Sequence, residues 1–163
     1  MDRYRSSVLV AGLAVWIAAS PALAETLGAH DQAIHDAARI GNGKQVQAIL
    51  KENPAARDVR TELGSTPLHL AATNPDLSAL NALITAGADP NARDKEGATP
   101  LHMAAYTQNA KHTQLLLEAG ADPLLKTNSG RDAGSMARKA MANEAAGVIS
   151  LWLLKGCKAG KPC

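Results

Sequence analysis

The chain has 163 residues, a length that suits one domain, and its 17 Lys and Arg residues against 15 Asp and Glu leave a net charge of only +2. This balance, without a basic stripe in the sequence, argues against nucleic acid as a partner. Two tyrosines, two tryptophans and no phenylalanine exclude a core rich in aromatic side chains. Ala, Leu, Ile and Val must therefore fill the core, as in thin layers of closely packed helices.

Residues 1–24 have the pattern of a secretory signal peptide. Arg3 and Arg5 precede an uncharged run from Val8 to Ala19, and small residues occupy the two positions that signal peptidase reads before the cut. The run is short for a bilayer span, so we expect cleavage after Ala24 and no membrane anchor after cleavage. The predicted location is the periplasm or the exterior of the cell.

Two nearly identical passages follow the predicted signal peptide. Gly64 to Ala72 reads GSTPLHLAA, and Gly97 to Ala105 reads GATPLHMAA. The sequence AGADP, at Ala86 to Pro90, returns at the same interval, at Ala119 to Pro123. A fixed period of about 33 residues is typical of stacked supersecondary units.

Each unit is predicted to form a helix, a turn, a second helix and an extended turn. Thr99 is suited to cap a helix, and Pro100 is suited to the first helical position, where its missing N–H costs nothing. The leucines at 115–117 indicate a second helix, which Gly120 ends. Two short helices with narrow apolar faces cannot bury themselves alone, so several units must stack. The predicted fold class is an all-α solenoid.

The sequences T-P-L-H-x-A-A and G-A-D resemble the ankyrin repeat, and each occurs twice in register. A weaker match to the repeat lies upstream, and the last unit has D-A-G-S in place of T-P-L-H. Both units keep nearly the same spacing. Pro75-Asp76 replaces the usual Gly-His turn and is expected to reshape it. The resemblance implies an ankyrin domain at residues 25–163, with four repeats at about 30–63, 64–96, 97–129 and 130–154, β-turn fingers between them, and a tail at 155–163.

The resemblance implies a protein-binding surface, with no catalytic residue, cofactor or metal. In ankyrin stacks the finger tips and the exposed side of the first helices form a concave face, here called the finger face. Tyr106 is its notable member because tyrosine is a common interface anchor, although packing against the next repeat is the alternative. By position, the finger face consists of Arg39, Ile40, Thr61, Glu62, Ser65, Thr73, Asn74, Lys95, Glu96, Ala98, Tyr106, Thr107, Asn128, Ser129, Arg131 and Lys139.

The five histidines form no ligand cluster in the sequence. The resemblance implies that His69 and His102 are structural and tie neighbouring repeats together through hydrogen bonds. His30 and His35 are separated by a spacing that does not place two side chains on one helix face, so a shared metal ion is not expected. His112 is expected to lie exposed at the start of a second helix.

Two cysteines lie close together at the C-terminus. An export signal would bring Cys157 and Cys163 to an oxidising compartment, where a disulfide is expected. A redox-active or metal-binding pair and an intermolecular disulfide are the alternatives. Trp152 continues an apolar pattern with Val148, Ile149 and Leu153 and is expected in the core of the last repeat, with an exposed anchor as the alternative.

Together these features predict an exported, non-enzymatic monomer that binds a protein partner. Small exported ankyrin proteins of bacteria are similar, and by that resemblance the partner is an envelope enzyme supported under oxidative stress, such as a catalase. There are two alternatives. The protein could be an immunity protein that neutralises a toxin, or a secreted effector that acts on a host protein. A small enzyme or metal-dependent factor on the same frame would require a cluster of titratable side chains in a pocket.

Overall fold

A computed structural model describes residues 33–158, so the predicted signal peptide, His30 and Cys163 lie outside the described residues. The described chain forms α-helices and one short 3-10 helix at Pro54–Asp58, which confirms the all-α solenoid prediction. None of the helices in this part of the chain is long and apolar enough to cross a membrane. The helices are α1 (Ala33–Ile40), α2 (Gly43–Glu52), α3 (Pro67–Ala71), α4 (Leu77–Thr85), α5 (Pro100–Tyr106), α6 (Ala110–Glu118), α7 (Ala133–Lys139) and α8 (Asn143–Leu154).

The helices are arranged in two layers. In the first layer α1, α3, α5 and α7 contact one another in chain order, and in the second layer α2, α4, α6 and α8 do the same. Each helix of the first layer also packs against the helix that follows it in the chain. The result is a stack of helix pairs, in which most contacts join neighbouring units. The repeat boundaries given above stay a prediction.

Small side chains hold the first layer together. Ala38, Ala71, Ala104 and Ala137 recur at one fixed interval, one on each helix of this layer, and each is 0% exposed. A methyl side chain lets the backbones of neighbouring helices approach closely. Trp152 is 8% exposed and belongs to the core, as its apolar neighbours predicted.

The helices of the first layer begin with residues that suit a first helical turn. Thr66 and Thr99 are the N-caps of α3 and α5, and a proline follows each of them. In the last unit Asp132 takes this position, and its carboxylate accepts a hydrogen bond from the backbone N–H of Ser135 at 2.7 Å. The departure from T-P-L-H therefore changes the capping residue and keeps the cap.

The turns inside the helix pairs differ more than the helices. Gln108 and Met141 occupy equivalent positions in successive units, and both adopt a left-handed backbone, with φ of 63° and 56°. This region favours glycine, so these turns hold backbone strain. The Pro75-Asp76 turn avoids it, because the proline ring at the position equivalent to Gln108 fixes φ at about −65°. The Asn74 side chain also accepts from the Asp76 N–H at 2.9 Å.

Candidate protein-binding surface

Three similar fingers project from the first layer. In each finger a backbone N–H donates to the carbonyl four residues later, at 2.9 to 3.0 Å, from Thr61, Asp94 and Thr127. A glycine with φ between 74° and 78° directly precedes the residue that supplies the carbonyl. Only glycine adopts this backbone readily, which explains why it recurs in every finger. The three glycines are Gly64, Gly97 and Gly130.

Backbone hydrogen bonds join each finger to the next. The N–H of Lys95 donates to the Leu63 carbonyl at 3.0 Å, and the N–H of Asn128 donates to the Glu96 carbonyl at 2.8 Å. These bonds connect the tips of successive fingers directly. The finger tips therefore form one continuous surface.

Two arginines repeat the same connection at the base of the fingers. The Arg60 guanidinium donates to the Arg93 carbonyl at 2.7 Å, and the Arg93 guanidinium donates to the Lys126 carbonyl at 2.7 Å. Hydrogen bonds with a charged donor are stronger than neutral ones. The position of each finger is thus fixed by its neighbour.

The histidines of the T-P-L-H sequences also join units. His69 Nε2 lies 3.1 Å from the Ala98 carbonyl oxygen, which can only accept, so Nε2 carries the proton and Nδ1 accepts from the Thr66 N–H at 3.1 Å. His102 Nε2 donates in the same way to the Arg131 carbonyl at 3.1 Å. Burial lowers the pKa of both imidazoles. These contacts support a structural role for the two histidines.

The other described histidines are buried as well. His112 lies in the first turn of α6 but is only 4% exposed, so the prediction of an exposed side chain is wrong. Its Nε2 has no hydrogen-bond partner among the described residues. His35 is 0% exposed, with Nε2 3.3 Å from the Val59 carbonyl oxygen. Across residues 33–158, no group of three or more His, Cys, Asp or Glu is placed to hold a metal ion.

Three of the predicted finger-face residues are buried. Ser65, Asn74 and Ala98 are 7%, 2% and 6% exposed, so their side chains are not available to a partner, which corrects that part of the prediction. The Asn74 amide donates to the carbonyls of Ala38 and Gly41, at 2.9 and 3.0 Å, and so ties two units together. The sequence places these residues in fingers and turns, but it does not show how deeply the neighbouring unit covers them.

The other predicted residues reach the surface. Thr61, Thr73 and Thr107 are half-buried. Those that are exposed are Arg39, Ile40, Glu62, Lys95, Glu96, Tyr106, Asn128, Ser129, Arg131 and Lys139.

Tyr106, Arg131 and Lys139 meet at one cleft between α5 and α7. The cleft has a volume of about 420 Å³, and the Tyr106 side chain is 59% exposed there, which favours a contact role over packing. Sequence reasoning missed the other residues that line the cleft, because they belong to a turn and a helix face that form the cleft only when neighbouring units pack together. They are Gln108, Met136 and Ala140.

Sequence reasoning also missed Leu63 at the first finger tip. Its side chain is 73% exposed, next to Glu62. An apolar residue directly before the finger glycine was the available signal, because finger tips are otherwise polar here.

Comparison with known proteins decides the family. A family model described as ankyrin repeats, three copies, matches residues 34–127. The chain is an ankyrin-repeat protein. The last helix pair, α7 and α8, lies beyond the matched segment and continues the ankyrin stack.

Among the curated relatives, the mitochondrial disaggregase of Bos taurus is 35% identical over 97 residues, which cover 57% of this chain and 14% of that protein. The mitochondrial disaggregase of Homo sapiens is 41% identical over 64 residues, which cover 39% of this chain and 9% of that protein. The chain therefore spans only a small part of the length of the curated relatives it matches.

Proposed function

We propose that this ankyrin-repeat protein is an exported, non-enzymatic scaffold that binds a protein partner through its finger face. Ankyrin repeats imply a protein–protein interaction module. The observation that carries the proposal is the joining of the finger tips by backbone hydrogen bonds beside an exposed Tyr106.

A surface fixed in advance favours binding. The bonds between fingers hold their backbone before a partner arrives, so little conformational entropy is lost on association. Exposed side chains at the tips, among them Glu62, Lys95 and Asn128, then supply specificity.

Export is the second part of the proposal, supported by the basic start, apolar run and small residues of positions 1–24. An oxidising compartment would also favour a disulfide between Cys157 and Cys163. By resemblance to small exported bacterial ankyrin proteins, the partner is an envelope enzyme supported under oxidative stress.

Partner capture tests the finger face. A Tyr106→Ala and Lys95→Ala double variant is expected to reduce the amount of partner captured from the native envelope fraction at least about tenfold, because two anchor side chains are lost. The partner is quantified by mass spectrometry. A Lys111→Ala and Gln114→Ala double variant, exposed on α6 in the second layer, is the matched control and should capture as much as wild type.

Circular dichroism separates binding from folding. Both double variants should keep the helical signal of wild type, since all four side chains are exposed. Equal capture by the finger-face variant and the control would contradict the proposed surface. Loss of helical signal in the Tyr106→Ala and Lys95→Ala variant would mean that these side chains are structural.

The intact mass of the protein recovered from its native host tests export. A chain that begins at Glu25 agrees with the proposal, whereas an intact chain that begins at Met1 contradicts it. The same sample should gain the mass of two hydrogen atoms on reduction if Cys157 and Cys163 are paired.

A further inference from the structure

The cleft between α5 and α7 presents two cations. Arg131 and Lys139 are both exposed at its edge, and the described residues that line it include no carboxylate. Neither side chain makes an ion pair or hydrogen bond with another described residue. Two positive charges are therefore available to a ligand here.

The acidic residue nearest in sequence does not neutralise this pair. The Asp132 carboxylate accepts the Ser135 N–H at 2.7 Å at the start of α7. Burial alone would raise the pKa of Asp132, but these hydrogen bonds from Ser135, with the charges of Arg138 and Lys126, hold it below its usual value. Asp132 is thus committed to capping α7, and Arg131 keeps its charge for the cleft.

The two cations lie at opposite ends of α7. Arg131 directly precedes the N-cap residue, and Lys139 is the last residue of the helix. Six helical rises of 1.5 Å give about 9 Å from Ala133 to Lys139, and the extended backbone before Ala133 adds up to about 6 Å, so the two backbones lie on the order of 9 to 15 Å apart. Between them the cleft is lined by the half-buried Met136 and Ala140 and by Tyr106, which offer apolar surface.

This pattern matches an extended peptide. In an extended chain residues i, i+2 and i+4 face the same side, and residues i and i+4 lie about 13 Å apart. Acidic residues at i and i+4 would therefore reach the two cations while an apolar residue at i+2 covers Met136 and Tyr106.

We propose that the α5–α7 cleft binds an extended acidic segment of the partner protein, with the pattern acidic–x–apolar–x–acidic. This inference rests on the proposed function. The two carboxylates pair with Arg131 and Lys139, and the central side chain packs between Tyr106 and Met136. A phosphate-bearing lipid headgroup would match the cations but would leave the apolar floor uncovered, so the observations favour the peptide.

A synthetic peptide, acetyl-GEALAEG-amide, tests this cleft directly. Titrated into isotope-labelled protein, it should shift the amide resonances of Tyr106, Gln108 and Met136 in a saturable way. The matched peptide GQALAQG should bind about three- to tenfold more weakly, because both charge pairs are lost. Moving the second glutamate one residue closer should also weaken binding, because it turns that side chain to the opposite side of the strand.

A pair of protein variants controls for general electrostatic attraction. Arg131→Gln with Lys139→Gln should weaken GEALAEG binding about three- to tenfold. Lys44→Gln with Lys111→Gln, exposed on α2 and α6, removes the same charge from the second layer and should leave the affinity unchanged. Circular dichroism should be equal for all forms.

Three results would overturn the inference. They are the absence of saturable shifts at the cleft, equal weakening by the two double variants, and equal or tighter binding of inorganic phosphate or of vesicles containing anionic phospholipid. If the partner is still captured through Tyr106 and Lys95 while the peptide does not bind, the proposed function stands and this inference fails. If partner capture fails but the peptide binds as described, the cleft stands alone.

Discussion

Three histidines are buried as neutral side chains, and this makes the stack sensitive to acid. Burial lowers the pKa of His69, His102 and His112 below the ordinary value of 6.5, against the opposing effect of backbone carbonyls. The unfolded chain therefore binds protons more readily than the folded chain once the pH falls below 6.5. The contribution of these histidines to the free energy of unfolding is fully present above that pH. It is lost as the pH falls toward their pKa values in the folded state.

We expect the free energy of unfolding to fall between about pH 7.5 and pH 5, with part of the loss arising from His112. A His112→Leu variant should lose less stability over this range. Its stability at pH 7.5 should lie within about 1 kcal/mol of wild type, because relief of the unpartnered Nε2 opposes the loss of the hydrogen bond to the Asn74 backbone. Urea unfolding at the two pH values measures both quantities.

Gln114→Leu on the same helix is the control, since Gln114 is exposed and does not titrate. Its pH dependence should equal that of wild type. A His112→Leu variant that keeps the whole pH dependence of wild type would contradict a contribution from His112.

At the scale of the elements, the fingers depend on glycine for two separate reasons. Gly97 and Gly130 have nearly the same left-handed backbone, with φ of 74° and 78°. A Cβ at Gly97 would lie 2.5 Å from Asn128 Oδ1 and 3.0 Å from the Asn128 backbone nitrogen, whereas a Cβ at Gly130 would meet nothing within 4 Å. The first position is crowded by the next finger, and the second lies at the open end of the stack.

Gly97→Ala and Gly130→Ala therefore separate crowding from backbone strain. The free energy of unfolding should fall by about 1 kcal/mol in both variants, because alanine disfavours this left-handed backbone. Gly97→Ala should lose at least about 1 kcal/mol more, since the next finger must move. Thermal or urea unfolding of the two variants measures the difference.

Gly97→Ala should also weaken partner capture, because it displaces the hydrogen bond between Asn128 and Glu96. Equal destabilisation by the two substitutions would contradict the close approach of the second and third fingers.

At the scale of the whole molecule, a row of buried alanines runs along the first helix layer, with buried leucines on the same helices. Ala71 and Ala104 are fully enclosed by the units on either side, and Leu68 and Leu101 are also 0% exposed. Because each unit contacts its neighbours, a change at one interface strains two units. The separation of the first-layer helices is therefore set by a methyl group.

Ala71→Leu is expected to destabilise the protein by about 1 to 3 kcal/mol, because three added carbon atoms have no space at this interface. Ala55→Leu, at an exposed position of the 3-10 helix, should change the free energy of unfolding by no more than about 0.5 kcal/mol. Urea unfolding followed by circular dichroism compares the two variants. Equal stability of the two would mean that the stack has room between its helices.

The sequence by itself determined the period, the helix starts and the ankyrin fold. Thr66-Pro67, the left-handed glycines and the alanines repeat at fixed spacing because each acts within its own unit or against an identical neighbour. Local capping and backbone preferences are readable from one chain. The structural role of His69 came from the family resemblance, and its hydrogen bond to the Ala98 carbonyl of the next unit supports it.

The tertiary structure alone decided which side chains are covered and which are left to a partner. Asn74 and His112 look like surface residues in the sequence but are enclosed by neighbouring units, while Tyr106 remains exposed beside Arg131 and Lys139. Exposure depends on how far one unit overlaps the next, and that overlap is set by packing across the interface rather than by local preference. The α5–α7 cleft exists for this reason only between assembled units.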